Sequence, residues 1–129
     1  MMEYQLNEPA TEESLKMLRQ QYPLLPQEYF AFLQSSDGGE GFLGIRPGYF
    51  RLWPASDVAK FSMEYELQIY APEYLAVGSS GGGELFVFPI SGQPAGIFMV
   101  PAIGMALDTV RLVASEFNQF VAAFGGDLS

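Results

Sequence analysis

The chain has 129 residues, 49% of them hydrophobic, with six basic and fifteen acidic side chains and a formal net charge of −9. This size suits a single domain over residues 1–129 that buries its own core. Cysteine and histidine are both missing, which excludes disulfides, thiolate chemistry and the commonest metal ligand and acid–base group, so we expect no metal, no cofactor and no enzymatic activity.

Two helices are predicted near the N-terminus. Thr11 can cap the first, and Pro23 ends it. Pro26 suits the first turn of the second, and Gly38-Gly39 supplies its exit. Apolar residues recur at helical spacing in both segments. They are Leu15, Leu18 and Tyr22 in the first helix, and Tyr29, Phe30 and Leu33 in the second.

The middle of the chain changes to short apolar segments bounded by glycine and proline, a pattern typical of strands. Five strands are predicted, over residues 42–45, 49–53, 74–78, 84–88 and 96–100. The short loops between the last three favour an antiparallel meander. Ser56 can cap a short helix that ends at Phe61, while residues 62–73 are predicted to be irregular.

A last helix is predicted after Ser115, which can serve as its N-cap. Its apolar stripe consists of Phe117, Phe120, Val121 and Phe124. Helices at both ends of a run of antiparallel strands predict an α+β domain. We expect an antiparallel sheet of about five to six strands, with the N-terminal and C-terminal helices packed on one face.

Three segments resemble the SUKH superfamily, named in part for yeast Smi/Knr-type cell-wall regulators. The first runs from Leu25-Pro26 through a Tyr-containing helix to Gly38-Gly39. The second runs from Tyr65-Glu66 across the hairpin glycines Gly81-Gly82-Gly83 to the next strand. The third runs from Val100-Pro101 to the Phe-rich helix. The order and spacing of the three segments together are typical of this fold.

The resemblance implies a class of function rather than a reaction. Bacterial relatives are typically encoded beside polymorphic toxins and bind the toxin to block it, and the superfamily is not known for a shared catalytic centre. Three positions depart from the family pattern. Asp37 stands where Asn is usual, Ser80 where Asp is common before the glycines, and Pro89 where the second hairpin strand often carries Asp.

An acidic, aromatic stretch is the main candidate for contact with a partner. No basic residue occurs between Lys60 and Arg111. Carboxylates can pair with lysine or arginine of a partner, and tyrosine offers a large contact area at low entropy cost. The candidate residues are Glu64, Tyr65, Glu66, Tyr70 and Glu73, followed by Asp37, Glu40 and Glu84 on the Gly-rich turns. The alternative is a solvated loop with its tyrosines tucked into the domain.

Three other features have a structural and a functional interpretation. The glycines from Gly78 to Gly83 could cradle an anion, but no lysine is near and a strand follows, which favours a hairpin. Asp37 and Glu40 could hold Ca²⁺, but their spacing favours a helix end. Trp53, the only tryptophan, is expected to pack in the core rather than at an interface.

The expected protein is a soluble, cytoplasmic, monomeric or weakly dimeric domain that binds a toxin with a basic surface, for example a nuclease. Its negative charge opposes binding to nucleic acid or an anionic membrane. No apolar stretch reaches the roughly 20 residues of a membrane span, and the first residues do not resemble a signal peptide. The alternatives are a regulatory or scaffold domain of the Smi/Knr type and a small-molecule-binding domain with a pocket between helices and sheet.

Overall fold

The computed structural model describes residues 4–127, which form one antiparallel sheet and five α-helices. The helices are α1 (Glu12–Gln21), α2 (Gln27–Ser35), α3 (Ala55–Glu64), α4 (Leu67–Tyr70) and α5 (Phe117–Ala122). The strands are β1 (Tyr4–Leu6), β2 (Gly39–Phe42), β3 (Tyr49–Leu52), β4 (Tyr74–Ser79), β5 (Glu84–Pro89), β6 (Ile97–Pro101) and β7 (Arg111–Ala114). None of the helices within residues 4–127 has the length and apolarity needed to cross a membrane.

The sheet is a continuous meander in which every strand pairs with the next one along the chain. All six pairings are antiparallel. The predicted α+β class is therefore confirmed, with seven strands instead of five to six. The two additional strands, β1 and β7, lie at the edges of the sheet. Both are short and largely exposed. They therefore show little of the alternation of apolar and polar residues from which a strand is predicted in a sequence. The strand predicted over residues 42–45 is wrong in position, because β2 covers Gly39–Phe42 instead.

A phenylalanine-rich core joins α2 and α5 to the sheet. Tyr29 of α2 packs on Phe88 with ring centroids 5.0 Å apart, and Phe120 of α5 packs on Phe86 at 5.0 Å. Phe124 stacks on Phe50 at 3.9 Å. The predicted stripe of the last helix therefore faces the sheet. Aromatic rings at these distances add specific contacts to a large burial of apolar area.

The predicted N-cap of α1 is confirmed, whereas that of α5 is wrong. The Thr11 hydroxyl accepts a hydrogen bond from the backbone N–H of Ser14 at 3.1 Å. At α5, Glu116 occupies the cap position without a side-chain bond. Ser115 donates instead to the Gln119 side chain at 2.9 Å. A hydroxyl one residue before the cap position therefore bonds to a side chain of the helix rather than to its backbone.

The segment after Trp53 differs most from the prediction. Residues 62–73 were expected to be irregular, yet α3 continues to Glu64 and α4 follows. Ser56 is not the cap of α3, because the helix begins at Ala55, whose N–H donates to the Asp37 carboxylate at 2.7 Å. This cap comes from 18 positions earlier in the chain. Local spacing therefore could not indicate it.

Helix α3 lies against β4 at the point where β3 ends. The N–H of Trp53 donates a hydrogen bond to the Val77 carbonyl at 2.9 Å. Further along the chain, in α3, the buried Ser62 hydroxyl bonds to both the N–H and the carbonyl of Ala76. It accepts from the N–H at 2.9 Å and donates to the carbonyl at 3.0 Å. Residues 75–78 and 85–89 are buried without interruption. Since successive strand residues face opposite sides, both faces of β4 and β5 are covered, and the cover is not limited to the terminal helices.

Candidate partner-binding surface

The junction of α3 and α4 exposes most of the acidic, aromatic stretch, and we call this region the elbow surface. Its exposed residues are Met63, Glu64, Tyr65, Glu66, Ile69, Tyr70 and Glu73. Tyr65 and Tyr70 are 42% and 51% exposed, and Met63 and Ile69 are 67% and 59% exposed. The tyrosines are thus not tucked into the domain. Large apolar side chains rimmed by carboxylates are a feature of surfaces that bind a partner.

The elbow is rigidly connected to the domain through its inward-facing residues. Leu67 is 2% exposed and fixes α4 in the core. Between the two helices, Glu66 adopts a left-handed conformation with φ 64° and ψ 36°, and within residues 4–127 it is the one non-glycine residue with positive φ. Such a conformation costs on the order of 1–3 kcal/mol. The chain therefore turns from α3 into α4 at an energetic cost to the fold, and Glu66 is exposed at this turn.

A groove of about 490 Å³ borders the elbow surface, and we call it the Trp53 groove. It is lined by Arg51, Trp53, Phe61, Glu64, Tyr65 and Ser79. Phe61 meets the Trp53 ring edge-on at 5.0 Å, while Tyr65 lies parallel to Trp53 at 6.0 Å. Trp53 is 7% exposed, which agrees with the expected core packing. The same ring also forms part of the groove wall.

Glu40 is connected to the groove through Arg51. Tyr49 donates a hydrogen bond to the Glu40 carboxylate at 2.8 Å, and the Arg51 Nε lies 3.4 Å from its other oxygen. The hydrogen bond from Tyr49 and the positive charge of Arg51 lower the pKa of Glu40. The same hydrogen bond raises the pKa of Tyr49. Glu40 and Arg51 therefore balance each other on the exposed face of β2 and β3.

The remaining two candidates, Asp37 and Glu84, make bonds within the fold. Asp37 lies just after α2, as expected, but its carboxylate accepts the N–H of Ala55 at the start of α3, a contact that the sequence did not predict. Glu84 accepts a hydrogen bond from the Ser80 hydroxyl at 2.6 Å. That hydroxyl also accepts from the N–H groups of Gly82 and Glu84, at 3.0 and 3.2 Å. The loop N–H groups that could have bound an anion are therefore bonded to the Ser80 hydroxyl instead.

Sequence reasoning missed several members of this region. Met63 and Ile69 were not singled out because residues 62–73 were predicted to be irregular, and Arg51 and Phe61 were assigned to secondary structure alone. Continuing the helical period past Phe61 would have shown Met63 on the outward side and Ser62 on the inward side. Arg51 and Glu64 line the same groove because β3 pairs with β4, on which α3 lies, and no local pattern reveals this arrangement.

The fold and the surface define a class of small α+β domains, in which helices cover an antiparallel meander and charged and aromatic groups remain exposed beside it. Residues 9–123 match the model of the SMI1 / KNR4 family (SUKH-1), and the chain belongs to this family. The match runs from just before α1 to just past α5, and β1 lies outside it. The resemblance found in the sequence is confirmed. No curated protein gives a significant match to the chain.

Proposed function

We propose that this protein is a non-enzymatic binding domain that binds and neutralises a bacterial toxin, as SUKH domains commonly do. The observation that supports this function is the elbow surface, where exposed large apolar side chains alternate with carboxylates. Apolar and aromatic anchors supply most of the binding energy of a protein interface, and charges supply specificity and association rate. A surface that presents both is suited to a macromolecular partner.

The charge of the elbow surface favours a basic partner. The carboxylate groups of three residues make no hydrogen bond or ion pair with other residues of the described range 4–127, those of Glu64, Glu66 and Glu73. Their charges are therefore available, and the chain as a whole carries −9. A nuclease toxin has a basic groove for its substrate, because most nucleic-acid affinity comes from phosphate contacts. An acidic surface that covers such a groove would block it.

A hydrolase is a weaker interpretation. Glycosidase chemistry requires two opposed carboxyl groups, one of them with a pKa raised by its surroundings so that it can donate a proton. The pKa of Glu40 is shifted in the opposite direction, downward. The elbow carboxylates are exposed and face solvent. With neither histidine nor cysteine in the chain, the acidic residues favour binding over catalysis.

A small-molecule site is also less well supported. The cavity where the N-terminal ends of α2 and α5 meet the sheet has a volume of about 210 Å³. Its lining includes Pro26, Phe88, Pro94 and Phe117. Ligand pockets usually have volumes of about 300–1,000 Å³, so this cavity is small for one. The Trp53 groove lies within that range, but it adjoins the elbow surface and is therefore assigned to the same partner. The regulatory or scaffold function differs from the immunity function only in the partner, so the neighbouring gene distinguishes the two.

The experiment is a titration of the full chain with the toxin domain encoded beside its gene. The double variant Glu64→Lys, Glu66→Lys should weaken binding at least tenfold and slow association, because it reverses two charges in the elbow surface. Exposed charges contribute little to stability, so circular dichroism should show an unchanged fold. The control Glu8→Lys, Asp108→Lys makes the same charge change at exposed residues outside the elbow. Wild-type affinity in the folded elbow variant would contradict the proposal.

A further inference from the structure

We propose that the Trp53 groove receives an arginine side chain of the basic partner, with its guanidinium stacked on Tyr65 and hydrogen-bonded to Glu64. This inference rests on the proposed function, because it names the group by which the partner is held at the same surface.

The aromatic wall of the groove has one open face. Tyr65 lies parallel to Trp53 on one side, with an interplanar angle of 5°, and still remains 42% exposed. Phe61 is already covered by a cation, since the Lys60 ammonium lies 5.6 Å from the centre of its ring. Tyr65 therefore offers the accessible ring for a further cation. Aromatic faces attract cations within about 6 Å of the ring centre.

The charges of the groove are not balanced. Arg51 is paired with Glu40, with its Nε and Nη2 atoms 3.4 and 3.5 Å from the two carboxylate oxygens. Lys60 is the second cation beside the groove. Glu64 lines the groove, whereas Glu66 lies outside it in the elbow surface. Neither carboxylate forms an ion pair within residues 4–127. Within the lining of the groove, Arg51 is therefore already paired, and Glu64 is the carboxylate that lacks a partner.

Arginine fits this arrangement better than lysine or an aromatic side chain. A planar guanidinium can stack on a ring and present two N–H groups to a carboxylate at the same time. An ammonium group cannot stack in this way. A partner aromatic ring could lie against Tyr65, but it would bury Glu64 at the interface without a counter-charge, which is unfavourable. The open aromatic face and the unpaired carboxylate thus favour the same ligand group.

The groove is preformed, which lowers the cost of binding. The backbone of Trp53 is fixed by its hydrogen bond to the Val77 carbonyl at 2.9 Å, and its ring is held edge-on by Phe61. Tyr65 is the first residue after α3, and its N–H donates to the Phe61 carbonyl at 2.9 Å. An arriving side chain would therefore meet groups that are already positioned, so that little ordering is needed on the side of the groove.

The only tryptophan of the chain reports directly on this groove. We would titrate the full chain with N-acetyl-arginine methylamide and follow Trp53 fluorescence. The control ligands are the citrulline analogue, which has the same shape without the charge, and the lysine analogue. Saturable binding of the arginine compound in the millimolar range is expected, with citrulline at least about fivefold weaker because it cannot pair with Glu64. Equal binding of arginine and citrulline, or no saturable change, would overturn the inference.

Variants of two groove residues separate the aromatic face from the charge. Tyr65→Phe keeps the ring and should bind within about twofold of wild type, whereas Tyr65→Leu covers Trp53 without a ring and should bind at least about fivefold more weakly. Glu64→Gln should weaken binding by a similar factor. Glu8→Gln is the matched control, an exposed carboxylate outside both the elbow surface and the groove lining. Wild-type affinity in both Tyr65→Leu and Glu64→Gln would overturn the inference even if the chain is fully folded.

A parallel titration with the neighbouring toxin domain distinguishes the inference from the proposed function. If wild type binds this domain and Tyr65→Leu binds it equally well, the groove assignment fails and the proposed function stands. If the arginine compound binds as expected and the toxin domain does not bind at all, the proposed function fails and the chemistry of the groove is supported. A loss of toxin binding in Tyr65→Leu and Glu64→Gln, with Glu8→Gln unchanged, supports both.

Discussion

Replacing Phe120 with alanine tests the packing that joins the last helix to the sheet. Phe120 is fully buried, and its ring centre lies 5.0 Å from that of Phe86 and 5.5 Å from that of Phe124. Truncating a buried phenylalanine removes its transfer free energy and leaves a cavity, at a cost of about 3–5 kcal/mol. Since a domain is stable by roughly 5–15 kcal/mol in total, this single change should remove at least about a fifth of its stability.

Urea unfolding, followed by circular dichroism, measures this effect. For a small domain the free energy of unfolding falls by about 1–3 kcal/mol for each molar of urea, so a loss of about 4 kcal/mol should lower the midpoint by about 2 M. Phe42→Ala makes the same substitution at a ring that is 51% exposed, and its cost should stay near 1 kcal/mol or below, about the size expected for a surface aromatic contact. An equal, small loss in both variants would show that α5 does not pack on the sheet in this way.

Three further changes probe single hydrogen bonds. Ser62→Ala leaves both backbone groups of Ala76 without their partner and should lower the free energy of unfolding by about 1–3 kcal/mol. A loss no larger than that in the exposed control Ser56→Ala would contradict the bridging role. Tyr49→Phe should raise the pKa of Glu40 in an NMR titration of its carboxyl group. Because the pKa of Glu40 is lower in the folded chain, its small stabilisation is present above its unfolded pKa and is lost as the pH falls through the folded pKa; an unchanged Glu40 pKa in Tyr49→Phe would refute the assignment. Asp37→Ala should lower the free energy of unfolding by about 1 kcal/mol through loss of the cap of α3. Asp37→Asn should lower it much less, because its amide oxygen can accept the same bond. Equal losses of both variants in urea unfolding would contradict this.

The parts of the fold that the sequence predicted are those whose signals are local. Thr11, followed by two acidic residues, marks the start of α1 by side-chain and backbone chemistry within four residues. The phenylalanines of α5 mark its buried face by their spacing alone. The hairpin between β4 and β5 was indicated by glycines, two of which adopt positive φ, Gly81 and Gly83. In each case the residues that carry the signal also make the contacts.

The parts that the sequence did not predict depend on distant partners. The start of α3 is set by Asp37, 18 positions earlier, and its length is supported by the bond between Ser62 and Ala76, 14 positions apart. The edge strand β7 is held by pairing with β6 and not by an apolar pattern of its own. The groove was not predicted for the same reason, because Arg51 and Tyr65 line it together only when the sheet and α3 are assembled.

The hydrogen bond between Asp37 and Ala55 explains why Asp can stand where the family pattern has Asn. Family members usually carry Asn at this position, and the atom that matters here is one side-chain oxygen, which accepts the N–H of Ala55 at 2.7 Å. Asp and Asn both provide an oxygen at the same place. The substitution therefore preserves the start of α3, and with it the position of the elbow. The hydrogen bond to Ala55 accounts for the carboxylate of Asp37 within the fold, and no contact with a partner is needed to explain it.

The elbow combines residues of two kinds on the same short helices, and this arrangement separates folding from binding. Ser62 and Leu67 face inward and connect α3 and α4 to the domain, while Met63, Ile69 and Tyr70 face outward and add nothing to the core. Glu66 shows the same separation at one residue. Its backbone adopts a conformation that glycine would adopt at lower cost, and its side chain makes no bond within residues 4–127. The outward residues can therefore be exchanged without unfolding the chain, which is what a domain needs if it must match one particular partner.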